Sequence, residues 1–408
     1  MELRGRKEHL SPNSYKNNKA LSKKRLLDSW CAACQKRSLF LILIHRKKCN
    51  ILHVKIKYIK KEKEHINMST KADHYYYDQL NKEQKKVYYA MKEGLLAMKD
   101  SFPVLRLSNR ELSDIYFMVR LDCPEIFYSV KFSYRYYQDS TMVEFVPEYL
   151  FTKDKIKEHR QAMEARVKKL VRQAETLDDK GKEIFIHDFI VNNVKYDKLK
   201  KEYSHEIIGA LGNGVAVCEG MAKAVKILCD SLNIWCIIAL SEANPEKGIK
   251  YRHAWNIVHL DGKYYHLDAT FDNTLSKENI IRYDYVNLSD KQIFKDHEPV
   301  IWKVPECTDG DHFYYREKKV SWTTVEEVRK RTIQAIKKKR VLLFHWRGGY
   351  LTREVLSELL LIFKEEAAEK NKQALVSVNW PQAVLAVRFE EGVREEQVEM
   401  EDANEGEQ

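Results

Sequence analysis

The stretch HAWNIVHLDGKYYHLDATF, residues 253–271, decides the fold. Two alternating runs flank Asp261-Gly262, the strongest short signal for a tight β-hairpin. With a two-residue turn, Leu260 faces Lys263 and Asp268 falls opposite Trp255. Trp255 shares a face with His253, which makes His253 and Asp268 diagonal neighbours across the ladder. Such neighbours stand about 7–8 Å apart at the backbone, close enough for an imidazole and a carboxylate to hydrogen-bond. The other face carries Ala254, Val258, Tyr265, Leu267 and Ala269, apolar except for Asn256.

Upstream, residues 212–230 read GNGVAVCEGMAKAVKILCD. Met221, Ala224, Val225, Leu228 and Leu232 recur at helical spacing, which predicts an amphipathic helix starting near Val217, with Cys218 in its first turn. Unpaired backbone N–H groups and the helix dipole favour a thiolate there, and the same groups can receive an oxyanion. Gly212, Gly214 and Gly220 are expected to let other backbone approach closely. A lone cysteine is more often a small buried hydrophobe. The oriented imidazole changes that balance, because a histidine held by a carboxylate beside a helix-start thiol is the arrangement nucleophilic catalysis needs. A zinc site of His253, His266 and Asp268 is the rival, but histidines spread along a hairpin lack the compact spacing of strong metal motifs. His259 and His266 are expected to be half-exposed strand residues, and no metal or organic cofactor is expected.

The rest of the chain organises around this centre. Residues 75–150 read as a small α+β domain: a helical run, a second helix opened by a Ser108/Glu111 capping box, and a hairpin turning at QDST. Residues 151–317 form the central domain. It has helices near 152–176 and 180–193, the Cys218 helix, then strands at IWCIIALS, RHAWNIVHL, KYYHLDATF and YDYVNLS. Helices followed by an antiparallel run of strands argue for an α+β fold. Residues 318–390 predict another small α+β domain, its first helix capped by Thr323 and Glu326. Residues 391–408 are an acidic tail expected to be disordered.

Charge narrows the function. The chain of 408 residues carries a net +11, but residues 1–67 hold 18 Lys and Arg against 5 Asp and Glu, leaving 53 against 55 elsewhere. The body therefore has no basic bias, and nucleic-acid binding by it loses its main support. Residues 1–67 are expected to be either a basic interaction arm or upstream sequence translated by mistake. Their apolar run SLFLILI is far shorter than the roughly 20 residues a bilayer requires, so no membrane contact is expected. It also begins too late for a signal peptide. Cys31 and Cys34 have redox or zinc spacing without a second pair, and the scattered cysteines fit a reducing cytoplasm.

GVAVCEGMAKAVKILCDSLNIWC followed by HAWNIVHLDGKYYHLDATFD resembles the transglutaminase-like superfamily of papain-like cysteine enzymes, especially its bacterial members. The resemblance covers roughly residues 180–290. It implies a papain-like core with a Cys-His-Asp triad on Cys218, His253 and Asp268, acting on a peptide or protein amide. Met221 stands where an aromatic residue is common and Phe271 where tryptophan is common; neither is expected to touch the triad. Members include cross-linkers, peptidases, other amide hydrolases and inactive scaffolds. The expected activity is hydrolysis through an acyl-enzyme on Cys218, with protein-glutamine transamidation and a non-catalytic interaction module as alternatives.

Overall fold

The computed structural model describes residues 74–277 and 280–391. The basic segment 1–67, with its Cys31 and Cys34, lies outside the described residues, as does the acidic tail beyond Glu391. The chain divides into two compact units between Arg166 and Val167.

In the first unit, Asn81 caps helix α1 (Lys82–Leu96), accepting from Glu83 N and Gln84 N while Gln84 reaches back to its backbone. Strand β1 (Phe102–Leu105) follows, then α2 (Asn109–Asp122), opened by the expected Ser108/Glu111 capping box. The hairpin β2 (Ser129–Tyr136) and β3 (Met142–Tyr149) turns at the QDST segment, and β3 lies between β1 and β2 in an antiparallel sheet. Val87, Tyr88, Met91, Leu112, Tyr116 and Phe145 make the core between helices and sheet. Helix α3 (Lys153–Ala174) contains the division between the units.

The second unit opens with α4 (Asp179–Asn193) and the short parallel pair β4 (Lys195–Tyr196) and β5 (Val215–Ala216). Helix α5 (Cys218–Ser231) packs on a four-stranded antiparallel sheet of β6 (Trp235–Ser241), β7 (His253–Leu260), β8 (Lys263–Leu267) and β9 (Val286–Leu288), in that order. The β7–β8 register pairs Leu260 with Lys263 and Asn256 with Leu267, as a two-residue turn requires. The KYYHLDATF segment departs from expectation. Its strand stops at Leu267, because Asp268 caps a new helix, α6 (Ala269–Leu275), by accepting from Thr270 N and Phe271 N.

Helix α5 is also more deeply buried than an amphipathic helix should be. Every residue from Gly220 to Asp230 is buried, including Lys223 and Lys226. Lys223 is held by Glu206 and Glu219, both at 2.8 Å, and Lys226 by Asp230 at 3.1 Å and the Cys236 carbonyl at 3.0 Å. Each ammonium thus keeps ionic partners in place of water. Asn256, the polar exception on the hairpin, donates to the Ala222 carbonyl of α5 at 3.0 Å.

The remainder forms a second sheet of order β10-β11-β13-β12: β10 (Ser321–Trp322), β11 (Leu342–Trp346), β12 (Lys372–Asn379) and β13 (Val384–Glu391). The short helix α7 (Asp290–Ile293) precedes it, and α8 (Val325–Lys337) and α9 (Arg353–Ala368) belong to it. Its own core gathers Trp322, Val328, Phe344, Leu359, Phe363 and Leu385. The residue that caps α8 is Thr324, accepting from Glu327 N, and not Thr323; the cap sits one residue later than the spacing predicted. Buried Arg282 grips Asp284 through two nitrogens, at 3.0 and 2.6 Å, and Asn379 and Tyr315 donate to the same carboxylate. That network ties the loop after α6 to the second sheet.

Candidate active site

Cys218 is the first residue of α5, and Val217 before it has no side chain able to cap. A serine or aspartate there would be worth about 1 kcal/mol of helix stability and would occupy the first N–H groups. An apolar residue leaves those groups for another acceptor.

The start of α5 is pinned from below. The Ser204 carbonyl accepts from Val217 N at 3.0 Å, and the helix passes so close to it that a Cβ on Gly220 would run into that oxygen. Gly214 adopts the left-handed conformation, φ 64°, which only glycine adopts freely. Gly209, which the sequence did not single out, is equally crowded, between Ser204 and Val215.

His253 is the first residue of β7, and its Nε2 donates to Asp268 Oδ2 at 2.6 Å. Cys218 is close enough to act on the same imidazole by hydrogen bonding and by charge, which leaves Nδ1 for the thiol. Burial works against a charged imidazole here. The Asp268 carboxylate and then Cys218 outweigh it and hold the His253 pKa up at about 10. Thiol, imidazole and carboxylate thus stand in line, brought together from α5, β7 and the end of β8.

Asp268 is fully buried, and its two oxygens are shared out. Oδ1 accepts the Thr270 and Phe271 backbone N–H groups at 2.8 and 3.0 Å. Oδ2 accepts from His253 and from a second histidine, His297, whose Nε2 lies 2.9 Å away. Burial alone would raise this carboxyl, yet the charge of His253 and the hydrogen bonds of both histidines keep its pKa well below the ordinary carboxylate range. Sequence reasoning missed His297. It lies in FKDHEPV, beyond the resemblance, on a segment with no periodic pattern.

A ring of aromatic groups encloses the imidazole. Trp255 stacks on His253 with centroids 5.7 Å apart, and Phe271 meets it edge-on at 5.0 Å. Phe271 therefore does touch His253, contrary to the sequence expectation, while Met221 is simply buried in α5. His266 is also corrected: it is fully buried and not half-exposed, whereas His259 is half-buried. Its Nδ1 accepts from Trp255 Nε1 at 2.9 Å and its Nε2 meets Asp290 Oδ1 at 2.7 Å. Indole N–H can only donate, so His266 carries its proton on Nε2. Burial accordingly lowers its pKa.

This hydrogen bonding separates His266 from the zinc set of the sequence reading, since it faces Asp290 and not Asp268. Among the described residues two donor groups do converge, His253 with Asp268 and His297, and His266 with Asp290 and Cys307. In the first, Nε2 of both histidines meets Asp268 Oδ2, and in the second, Nε2 of His266 meets Asp290 Oδ1, so these nitrogens serve the carboxylates of the fold.

On the solvent side, Tyr196 pairs beside Ala216, two residues before Cys218. Burial, and next the charge of Cys218, push its phenol up to about 12. Tyr251, two residues before His253, is 57% exposed. Cys218 and His253 are themselves half-buried. Burial raises the pKa of the thiols of Cys123 and Cys307, whereas Cys229 is raised first by its hydrogen bond with Cys236 and then by burial. Among the described residues no helix is long and apolar enough to cross a membrane.

Comparison with known proteins bears on the same region. Residues 165–269 match the family model of the transglutaminase-like superfamily, so the chain carries a transglutaminase-like domain there. No curated protein matches. Among solved structures, the crystal structure of a TGase aligns at 11% identity over 44% of this chain and 53% of that one, with TM-score 0.25. "A Putative Cysteine Protease from Cytophaga hutchinsonii" aligns at 15% identity over 35% of this chain and 62% of that one, with TM-score 0.23. A crystal structure of menin that reveals the binding site for Mixed Lineage Leukemia protein aligns at 15% over 51% and 52%, with TM-score 0.22. The chain spans less than two thirds of the length of each, and likenesses this loose leave the superfamily match and the residues themselves to carry the reading.

Proposed function

We propose that the transglutaminase-like domain is a thiol-dependent hydrolase of amide or peptide bonds, with Cys218 as nucleophile, His253 as its base and acid, and Asp268 as the group that orients His253. The observation that carries the reading is the shared hydrogen bonding of Asp268, which leaves the imidazole one free nitrogen and aims it at the thiol. In the first half-reaction His253 takes the thiol proton and the sulfur attacks the carbonyl carbon. The oxyanion is received by N–H groups at the uncapped start of α5. The imidazolium then protonates the leaving nitrogen, the C–N bond breaks and a thioester remains on Cys218. In the second half-reaction His253 takes a proton from water, hydroxide adds to the thioester, the C–S bond breaks to release the acid, and the imidazolium returns its proton to the Cys218 thiolate.

Water is favoured over an amine as acceptor because Cys218 and His253 are half-buried, beside the exposed Tyr251. Shielding a thioester for an amine would require a closed, apolar approach. The test pairs two measurements on the full chain. Limiting iodoacetamide near neutral pH should label Cys218 ahead of Cys229 and Cys236, which are buried. Given peptide acyl donors and excess primary amine, released acid should exceed the amine adduct, and Cys218→Ala should abolish both. Predominant amine incorporation would reassign the activity to transamidation. An unreactive Cys218 with no turnover would leave a non-catalytic module.

A further inference from the structure

His297 holds the least expected position in the site. It follows α7, is buried, and lies between two carboxylates: Nε2 on Asp268 Oδ2 at 2.9 Å and Nδ1 on Asp296 Oδ1 at 2.8 Å. Asp296 is itself fixed, accepting from the Tyr285 hydroxyl at 2.5 Å. Phe271 and Trp255 pack on the ring at 4.4 and 5.1 Å, and the His253 ring is 5.2 Å away. Both ring nitrogens of His297 face carboxylate oxygens, so both must donate, and an imidazole that donates twice is an imidazolium. Burial opposes that charge, and the hydrogen bonds to Asp268 and Asp296 override it to raise the pKa.

We propose that His297 is a positioning residue for the Cys218–His253 pair: it clamps Asp268 Oδ2 and, as a cation, shares that carboxylate with His253 and so limits how tightly His253 keeps its proton. The proposal rests on the thiol-hydrolase reading above, since it concerns the same pair. A single carboxylate buried beside one histidine would give that histidine all of its charge. Here a second positive charge stands on the same oxygen, so His253 is held less firmly and can surrender its proton to the leaving group. The other titratable groups facing this pair are Asp296, Tyr285 and His266 around His297, and Cys218 and Tyr196 beside His253. None of them offers Asp268 a second cation.

The test is the pH profile of Cys218 alkylation together with imidazole NMR of His253, in wild type and His297→Gln. Glutamine keeps a donor for Asp268 but no charge. With the cation gone, His253 should hold its proton more firmly and its titration should move up by on the order of one pH unit. The upper limb of turnover should move with it. His297→Asn is the second variant, a shorter side chain that likewise carries no charge, and it should shift the same limb in the same direction. If both variants fold and the His253 titration stays put, His297 is only a packing residue and the proposal is wrong. If wild-type Cys218 shows no pH-dependent reactivity at all, the hydrolase reading fails first.

Discussion

Glu183, on α4, offers a test of how buried charge is handled around the site. It is fully buried, and its Oε2 accepts from Asn287 Nδ2 at 2.8 Å. Its Oε1 and Asn287 Oδ1 are buried without a partner. Two acceptors on an already bonded pair lack one donor, and a proton on Glu183 supplies it. Burial, against the Asn287 hydrogen bond and the charge of His187, raises the pKa to about 7. Because the folded value lies above the ordinary 4.5, this group's contribution to stability is full below about pH 4.5 and is lost as pH rises through 7. The gap corresponds to about 3 kcal/mol by pH 8 to 9.

Glu183→Gln should remove that loss. The glutamine amide can donate to Asn287 Oδ1 while its carbonyl accepts from Nδ2, and it never ionises. The variant is expected to exceed wild type by about 3 kcal/mol at pH 8.5, a rise in Tm of roughly 6–10 °C for a unit of this size, and to match it near pH 5. Urea denaturation of the full chain at the two pH values checks this. A difference that is the same at both pH values, or a variant less stable at pH 8.5, would refute the protonation argument.

Two further substitutions probe the proposed site itself. Asp268→Asn keeps an Oδ1 acceptor for the α6 cap but places an amide against two imidazole N–H groups; turnover should fall by on the order of 10³–10⁴ with the His253 titration dropping below 10, and a retained titration near 10 would show that another group holds the histidine. Gly220→Ala would normally gain about 1 kcal/mol in a helix; here its methyl meets the Ser204 carbonyl, so Tm and the Cys218 alkylation rate should both fall, and an unchanged rate would mean that α5 is not held by that contact.

The hairpin was legible because Asp261-Gly262 fixes a two-residue turn and a period of 2 then dictates every pairing, including the diagonal from His253 to Asp268. Cys218 at the first helical position was legible from the 3.6-residue period of Met221, Ala224, Val225 and Leu228. The polar residues of α5 misled for a definite reason: Lys223 and Lys226 occupy the face that normally meets water, and only the tertiary fold supplies Glu206, Glu219, Asp230 and the Cys236 carbonyl to receive them. The ends of elements were less legible. Asp268 continues an alternating strand pattern until its carboxylate captures two N–H groups and turns the chain, while Thr323 and Thr324 are both competent caps separated by one residue. His297 had no local signal at all, because its position depends on how α7 and the following loop return to the sheet.

The same hydrogen bonds leave the imidazole little freedom to move. Asp268 cannot rotate without breaking the two α6 N–H contacts that Oδ1 accepts. Trp255, stacked behind His253, cannot tilt freely, because its indole N–H is committed to His266, whose other nitrogen is committed to Asp290, which in turn accepts from Cys307 N at 3.0 Å. Phe271 closes the third side and is itself held by the cap that Asp268 makes. His253 is therefore fixed by a carboxylate and two rings, each anchored by a bond that serves the fold as well. The freedom left lies on the Cys218 side, toward the uncapped N–H groups of α5, where preorganised donors are worth most because they need no reorientation as charge develops.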